Sequence, residues 1–455
     1  MGAGVGDSTA MMADFVAGGA IGPEARERAA LAFVDTIGVM LAGAHEPAAQ
    51  MAQATAAEEG TGTGPCRVLG TAIRTGPQLA AFANGVAAHA LDFDDMCFVS
   101  MAHPSCALVP AALAAGELSA ARGSLMLDAY VAGFEIECRL GSVMNPRHYH
   151  QRGWHCTSSI GTLGAAAAAA RVLGLDAGRT RHALGIAASA ACGLKENLGT
   201  MVKPLHAGLA ARNGVMAARL AERGFTASPR ALDGPQGYLA AMDSEGSSLD
   251  TAICDLGSRW EILETGVTVK LYPSCAATHP PLDALFDLQR REGFTAADVD
   301  AIDVEVDSMT PRLLIHPSPA TGLEAKFSMP FCAAAALVYG RLDIGTFDAE
   351  HIGNPQVQAL LPRVTLRANP AFDAAAPLSQ ARVTVRLSDG RRFTQAADGA
   401  RGYPGRLTDS ELATKFMACA SGTVTAAGAA AVWPALRDFA GLANVRDLTA
   451  RFATA

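Results

Sequence analysis

Five side chains that can transfer protons lie within fifteen residues of an alanine-rich chain: His89, Asp92, Asp94, Asp95 and His103. If Gly85 to Asp95 is helical, Asp92 and Asp95 share one face and His89 lies one turn before Asp92. Carboxylates that close raise one another's pKa unless a cation lies between them, and such pairs are frequent at functional sites. The stretch therefore predicts an acid–base or metal site; the alternative is a solvated helix end, with His103 capping the next helix.

A segment rich in histidine and hydroxyl groups follows. Tyr149 lies between two histidines, and His155, Thr157 and Ser158 come just before a predicted helix over 161–170. The N-terminus of that helix would favour an anion such as a carboxylate. The alternative is that Thr157 or Ser158 only caps the helix. The histidines are not spaced like known zinc or iron ligands, so no metal is predicted here.

Lysine is scarce, with five residues against 31 arginines, so a lysine in an apolar setting is informative. Lys203 lies among Met, Val, Pro and Leu, where burial lowers a lysine's pKa and suits it to acid–base work or to balancing an enolate. The alternative is a surface lysine with a buried stem. The stretch from Lys270 to His279 adds a cation, a phenol, Ser274 and an imidazole near an expected domain junction. Cys275 is interpreted there as buried rather than nucleophilic.

The composition limits the classes of partner. The 455 residues carry a formal charge of −8 without a basic stripe, which argues against nucleic acid. Ten scattered cysteines without a C-x-x-C pair indicate free thiols and a cytoplasmic setting. Apolar runs such as 160–170 are shorter than a membrane span. Gly2 to Gly6 has no strand before it to form a dinucleotide loop, and we expect it to be a frayed terminus.

Helical periodicity dominates the first half of the chain. It predicts helices over 23–43, 78–95, 107–121, 125–140, 160–173, 179–191, 206–223 and 238–242. Small residues fill these segments and permit close approach, which favours a large helical bundle.

The pattern changes after about residue 262. Strands are predicted over 302–306, 364–366 and 383–387, the last leading through a Gly390 turn to Phe393, with helices over 281–291 and 328–339. A capping box at Thr408 to Glu411 opens a returning helix. The expected fold is mainly α with an α+β second domain: 1–262 and 401–455 form the helical domain, and 263–400 is inserted as the α+β domain.

Six motifs, in order, resemble the MmgE/PrpD family, which includes 2-methylcitrate dehydratase, cis-aconitate decarboxylase and iminodisuccinate epimerase. They are Asn84 to Asp95, His103-Pro104-Ser105, Gly153-Trp154-His155, Lys203 to Gly208, Lys270 to His279 and Glu324 to Ser328. The motifs span nearly the whole chain, and their order is more specific than any one of them.

The resemblance implies a homodimeric, cofactor-independent enzyme whose α+β lid domain and helical domain have the site between them. We expect the catalytic residues to be Asp92, His103, Tyr149, His155, Lys203 and His279. The expected substrate ligands are Thr157, Ser158, His206, Lys270 and Ser274. The positive charge of His155, Lys203 and His279 removes the need for a metal, and Asp94 and Asp95 are expected to fix a turn between two helices.

The resemblance also implies proton transfer at the carbon next to a carboxylate of a small di- or tricarboxylic acid. A carbon–oxygen lyase of the 2-methylcitrate dehydratase kind is expected first, then an epimerase acting on an iminodisuccinate-like substrate, then a cis-aconitate decarboxylase. Pro273 to Ala276 lacks the acid and histidine of the dehydratases, and Leu313 to His316 lacks the tyrosine of the decarboxylases. Both departures weaken the lyase assignments and favour an epimerase. A helical scaffold that binds a carboxylate without turnover is the alternative from another class.

Overall fold

Two compact units divide the chain in the computed structural model, which describes residues 7–60, 63–242, 248–375 and 379–453. The first unit comprises Met1–Ala90, Asp94–Val267 and Thr408–Ala455, and the second comprises Leu91–Phe93 and Thr268–Leu407. The first unit is helical, and the second is built on a sheet. The predicted frayed terminus at Gly2 to Gly6 lies outside the described residues.

The first unit consists of alanine-rich helices, as the periodicity predicts. Its longer helices are Ser8–Gly18, Pro23–Gly43, Pro47–Glu59, Pro77–Ala90, Ser105–Ser119, Gly123–Met144, Gly161–Val172, Ala177–Ala190, Val202–Glu222, Asp409–Ala420 and Ala426–Arg437. Shorter helices are Arg147–His150, Cys156–Ser159, Tyr238–Ala241, Leu249–Ile253, Glu261–Glu264 and Val445–Thr449, and the strands Cys66–Arg67 and Arg74–Thr75 form a small antiparallel pair. Several helices begin at proline, whose missing N–H is not needed at a first helical position.

Two glycines bring the helices Pro77–Ala90 and Val202–Glu222 into backbone contact. A Cβ placed on Gly85 would lie 2.8 Å from the Cα of Gly208, and one placed on Gly208 would lie 2.6 Å from the carbonyl oxygen of Phe82. Any side chain at either position would force the helices apart. This close approach matters because the same two helices carry His89, Lys203 and His206.

The helix that carries His89 ends at Ala90, so the prediction of a helix through Asp95 is wrong. Asp92 has a φ of 52°, in the left-handed region that residues other than glycine seldom adopt. Leu91–Phe93 cluster with the second unit, and the chain rejoins the first unit at Asp94. Asp92 and Asp95 therefore do not share a helical face.

The second unit contains a four-stranded mixed sheet, which confirms the predicted α+β character. Its strands run in the order Val364–Ala368, Val299–Val306, Ala381–Leu387, Arg392–Ala397; the first pair is parallel and the others are antiparallel. Its helices are His279–Glu292, Gly322–Ala325, Met329–Tyr339, Ala349–Ile352 and Pro355–Leu360. Ile302, Val304 and Val306 are buried in the core while the acids between them are partly exposed, as period-two alternation predicts.

The helices and the cysteines bear on two expectations drawn from composition. In the described ranges, no single helix is both long and apolar enough to cross a membrane; the helices Pro23–Gly43 and Pro47–Glu59 meet that test together but are bent by 89°. All ten cysteines carry free thiols, as their scattered spacing predicts.

A buried ion pair joins the two ends of the first unit. Asp35 in Pro23–Gly43 lies 2.6 Å from the ammonium of Lys415 in Asp409–Ala420, and both residues are buried. Because removing one partner leaves a buried uncompensated charge, we expect Lys415→Met to reduce the free energy of unfolding by about 3 kcal/mol or more.

Urea unfolding measures this loss. The double variant Asp35→Leu, Lys415→Met should recover most of it, since no charge is then left unpaired. Arg437→Met, which removes the exposed pair with Asp409, serves as the control and should change stability by less than about 1 kcal/mol. Equal losses in the single and double variants would contradict the assigned role of the pair.

Candidate active site

Four imidazole rings follow one another inside the helical unit. Ring centroids are 4.7 Å apart for His103 and His89, 5.8 Å for His89 and His155, and 5.2 Å for His155 and His206. His89, His155 and His206 are buried, and the His103 side chain is 14% exposed. The four rings come from four separate segments, and three of them belong to the residues expected to handle the substrate.

The tautomer of His103 follows from its hydrogen bonds. Its Nδ1 lies 2.8 Å from the carbonyl oxygen of Asp95. Because a carbonyl oxygen only accepts, Nδ1 carries a proton, and Nε2 of the neutral ring carries a lone pair. The carboxylate of Asp94 lies 3.5 Å from the same Nδ1, and the His103 amide donates to Thr157 Oγ1. The Asp95 carbonyl oxygen thus fixes the tautomer of neutral His103, and its catalytic role stays a prediction.

Asp94 and Asp95 hold the turn that precedes His103. His89 Nδ1 lies 2.8 Å from a carboxylate oxygen of Asp94. Asp95 accepts hydrogen bonds from the amide and hydroxyl of Ser105, whose Oγ lies 2.6 Å from the Tyr130 hydroxyl. Burial raises the pKa of Asp95 well above its usual value. These bonds confirm the expectation that both carboxylates fix the turn between two helices.

His155 and His206 contact each other through like nitrogens, with 3.0 Å between the two Nδ1 atoms. Burial, with smaller contributions from the His89 ring and the Lys203 ammonium, lowers the pKa of His155 well below its usual value and that of His206 to about 4. Lys203 is itself buried, as its apolar neighbours in the sequence predict. Both rings are therefore neutral at pH 7 in the empty site, and a bound anion would raise their pKa values.

Gly193 fixes the backbone of His155, a role that sequence reasoning missed. The His155 amide donates to the Gly193 carbonyl oxygen at 2.9 Å. Gly193 has a φ of 121°, and a Cβ there would lie 2.6 Å from the Cβ of Ser158. Ser158 Oγ is buried and has no hydrogen-bond partner among the described residues. The expected role of Ser158 as a substrate ligand stays a prediction.

The predicted binding of an anion at the N-terminus of the helix over 161–170 stays a prediction. The short helix Cys156–Ser159 precedes Gly161–Val172, and the amides of Leu163 and Gly164 donate to the carbonyl oxygen of Ile160. The chain is already helical before Gly161, so the first amides of the longer helix are not presented together to a ligand. Thr157 contributes differently, because its hydroxyl accepts a hydrogen bond from the backbone of His103.

In the second unit, two buried lysines hold Leu91–Phe93. Lys270 Nζ donates to the carbonyl oxygen of Asp92 at 2.9 Å and to its carboxylate at 2.8 Å, and Lys326 Nζ donates to the Leu91 carbonyl oxygen. These bonds hold Asp92 in its left-handed conformation. Lys326 was missed as a functional residue, although it lies in the Glu324 to Ser328 motif.

A hydroxyl-rich turn places Ser274 and His279. Thr278 Oγ1 donates to the Cys275 carbonyl oxygen at 2.8 Å, so the 2.7 Å bond between Thr278 and Ser274 uses the Ser274 proton. Ser274 can therefore accept a hydrogen bond from a ligand but cannot donate one. His279 is buried with Nε2 3.4 Å from the Ser274 carbonyl oxygen. The roles of Lys270, Ser274 and His279 towards substrate stay predictions.

Tyr149 lies beside Lys195. The Lys195 ammonium is 3.8 Å from the centroid of the tyrosine ring and donates to the Tyr149 carbonyl oxygen at 3.1 Å. Burial lowers the pKa of Lys195. These contacts do not test Tyr149 as a catalytic group, so its role in proton transfer stays a prediction.

Several side chains of the first motif could also bind a metal ion. His89, Asp94 and His103 each offer a ligand atom, and these atoms lie within 4.8 Å of one another. Nδ1 of each histidine already lies in hydrogen-bond contact with a carboxylate or carbonyl oxygen, which accounts for the close grouping. Independence from metal stays a prediction.

Neutral imidazoles, a buried lysine and hydrogen-bonded carboxylates define a site suited to proton transfer on an anionic ligand. Residues 10–249 match the MmgE/PrpD N-terminal domain and residues 272–433 match the MmgE/PrpD C-terminal domain, so the chain belongs to the MmgE/PrpD family. The family resemblance of the six motifs is thereby confirmed.

Curated relatives extend the comparison. A cis-aconitate decarboxylase of Mus musculus is 32% identical over 364 residues, 77% of this chain and 73% of that protein. A cis-aconitate decarboxylase-like protein of Aspergillus oryzae is 30% identical over 420 residues, 88% of this chain and 86% of that protein. A cis-aconitate decarboxylase of Aspergillus terreus is 29% identical over 423 residues, covering 88% of this chain and 85% of that protein.

Ser158 leaves no room for a side chain at position 193. Gly193→Ala combines left-handed backbone strain with a clash against Ser158, so we expect it to displace His155 and to lower both stability and kcat. Gly199→Ala is a matched control, because Gly199 has a φ of 89° but open space around its Cα. Thermal unfolding should therefore show a larger loss for Gly193→Ala, and only that variant should lose turnover. Equal effects of the two substitutions would contradict the assigned contact.

Proposed function

We propose that the protein is a cofactor-independent lyase acting on a small di- or tricarboxylate, with decarboxylation of an unsaturated tricarboxylate such as cis-aconitate as the favoured reaction. The observation that carries the proposal is the buried group of four imidazoles with Lys203, in which His103 reacts through Nε2. The names of several relatives favour decarboxylation over the dehydration expected from the motifs alone. As in the sequence-based expectation, the chain is proposed to work as a homodimer.

The charge balance of this group suits an anionic substrate. Lys203 supplies a positive charge in a buried setting, where Coulomb attraction is stronger than in water. Because His155 and His206 are neutral before an anion binds, they can donate or accept hydrogen bonds without repelling the Lys203 ammonium. Binding of a carboxylate would raise their pKa values and prepare one of them to release a proton.

Decarboxylation needs little else from the protein. The bond between the substrate carbon and its carboxylate breaks, CO₂ leaves, and the electron pair delocalises into the conjugated carboxylate that remains. Lys203 and imidazole N–H groups stabilise that charge, and one imidazole gives its proton to carbon. The imidazole then regains a proton from solvent, so the reaction consumes one proton and needs no oxidant.

Epimerisation is the second candidate. It uses the same proton transfer next to a carboxylate, but the proton returns to the opposite face and no bond to carbon is lost. Leu313 to His316 lacks the tyrosine expected of the decarboxylases, which favours this alternative. Asp92 and His279 remain proposed catalytic groups on the family resemblance.

Proton NMR in D₂O tests the function directly. The purified protein is incubated separately with citrate, methylcitrate, cis-aconitate and iminodisuccinate. We expect cis-aconitate to yield CO₂ and a dicarboxylate that carries one deuterium from solvent. Water loss would identify a dehydratase, and exchange without loss of mass an epimerase. If none of the four acids loses CO₂, loses water or exchanges a proton with solvent, the lyase proposal is contradicted and a binding scaffold is favoured.

Lys203→Met tests the charge that the site is proposed to supply. Removing the ammonium should lower kcat/KM by about 10²- to 10⁴-fold, because a developing negative charge then lacks its counter-charge. Arg437→Met is the control, since it removes a cation that forms an exposed pair with Asp409 and contacts none of the proposed site residues. Circular dichroism checks that both variants fold. Near-normal turnover in folded Lys203→Met would show that the lysine is misassigned.

A further inference from the structure

We propose that His155 and His206 share one proton between their Nδ1 atoms and act as a single proton-carrying unit, with His206 as the positioning residue that recharges His155. The proposal rests on the proposed function, which requires a proton donor to carbon. It goes beyond the sequence-based expectation for His206, which was a ligand of the substrate.

The 3.0 Å distance between the two Nδ1 atoms carries the inference. Two bare nitrogens at that distance would repel each other, and two N–H groups would clash, so one Nδ1 donates and the other accepts. In a neutral pair the remaining proton then lies on the Nε2 of the accepting ring. The pair therefore presents one Nε2–H and one bare Nε2 at its outer ends, and the two residues are opposite tautomers.

The backbone keeps the rings in this arrangement. His155 is fixed by the bond from its amide to Gly193, and His206 lies in the first turns of Val202–Glu222, which packs closely at Gly208. A Cβ at Gly193 would also lie 3.6 Å from the His206 ring. The backbone of His155 and the ring of His206 therefore both lie next to Gly193.

The partner of His155 differs from the partners of the other rings. Asp94 accepts from His89, and the Asp95 carbonyl oxygen accepts from His103. The titratable groups that act on His155 are His89, Lys203, His206 and His103, all of them neutral or cationic. A carbonyl oxygen can only orient an imidazole, whereas a second imidazole can also pass a proton to it.

The proton transfers balance as follows. When the substrate carboxylates bind, His206 Nε2 takes a proton from solvent, so that the pair carries one positive charge. His155 Nε2–H then gives its proton to the substrate carbon while the shared proton moves from His206 Nδ1 to His155 Nδ1. After product leaves, His155 Nε2 takes a solvent proton, the shared proton returns to His206 Nδ1, and His206 Nε2 releases its own. One solvent proton has then reached carbon, and the pair is restored.

Histidine ¹⁵N NMR of the full-length protein tests the shared proton without substrate. Two other residues act as internal references: the bonds of His103 require the Nδ1–H form, and His182, whose Nδ1 accepts from the Ala227 amide, requires the Nε2–H form when neutral. At pH 7 to 8 one of His155 and His206 should match each reference, assigned with His206→Asn. Two Nε2–H tautomers would overturn the proposal whatever the substrate proves to be.

Kinetics of His206→Asn then test the recharging role. Asparagine can place an amide N–H donor near the position of Nδ1 but cannot carry a proton through the side chain. We expect kcat to fall about 10- to 100-fold with KM little changed and with a larger solvent isotope effect. A normal kcat overturns the recharging role, as does a rise in KM alone, which would mark His206 as a substrate ligand.

His206→Gln is the matched variant. It presents its amide near the position of Nε2 and leaves Nδ1 of His155 without its partner, so we expect a larger loss than in His206→Asn. If the wild-type protein turns over none of the acids, the lyase proposal fails, and the ¹⁵N spectrum alone decides whether the pair shares a proton.

Discussion

The helical unit depends on polar groups that are buried and hydrogen-bonded in the turn between Ala90 and Ser105. A carboxylate removed from water is costly unless other groups donate to it, and Asp94 and Asp95 meet that condition with His89 and Ser105. The carbonyl oxygen of Asp95 then fixes the tautomer of His103. The same bonds that stabilise the turn therefore decide which nitrogen of His103 can react.

Much of the fold could be predicted because it follows local periodicity. Pro23–Gly43 is bounded by its own proline and glycine, and Ile302 to Val306 alternate as a half-buried strand must. The end of the helix at Ala90 could not be predicted, since Ala88 to Asp95 has no proline or glycine to stop it. The cause is non-local: Lys270 and Lys326, far along the chain, bond to Leu91 and Asp92.

The candidate site shows the same division. Residue type and apolar neighbours predicted that Lys203 would be buried, and the motifs singled out His103, His155 and His206. The partners of these side chains could not be derived, because no local rule pairs His155 with a residue fifty-one positions away. Gly193 carried no signal either: its importance arises from the distance to Ser158, which exists only in the folded chain.

Burial allows neighbouring imidazoles to lie together, because it disfavours their charged forms. In water, histidines titrate near pH 6.5, and four protonated rings together would repel one another. Inside the helical unit, burial, His89 and Lys203 keep His155 and His206 neutral, so Lys203 supplies a fixed positive charge beside groups whose charge depends on the ligand. A polycarboxylate brings the negative charge that shifts these groups towards protonation. On the proposed function, the substrate itself prepares the proton donor, and a ligand with fewer charges prepares it less.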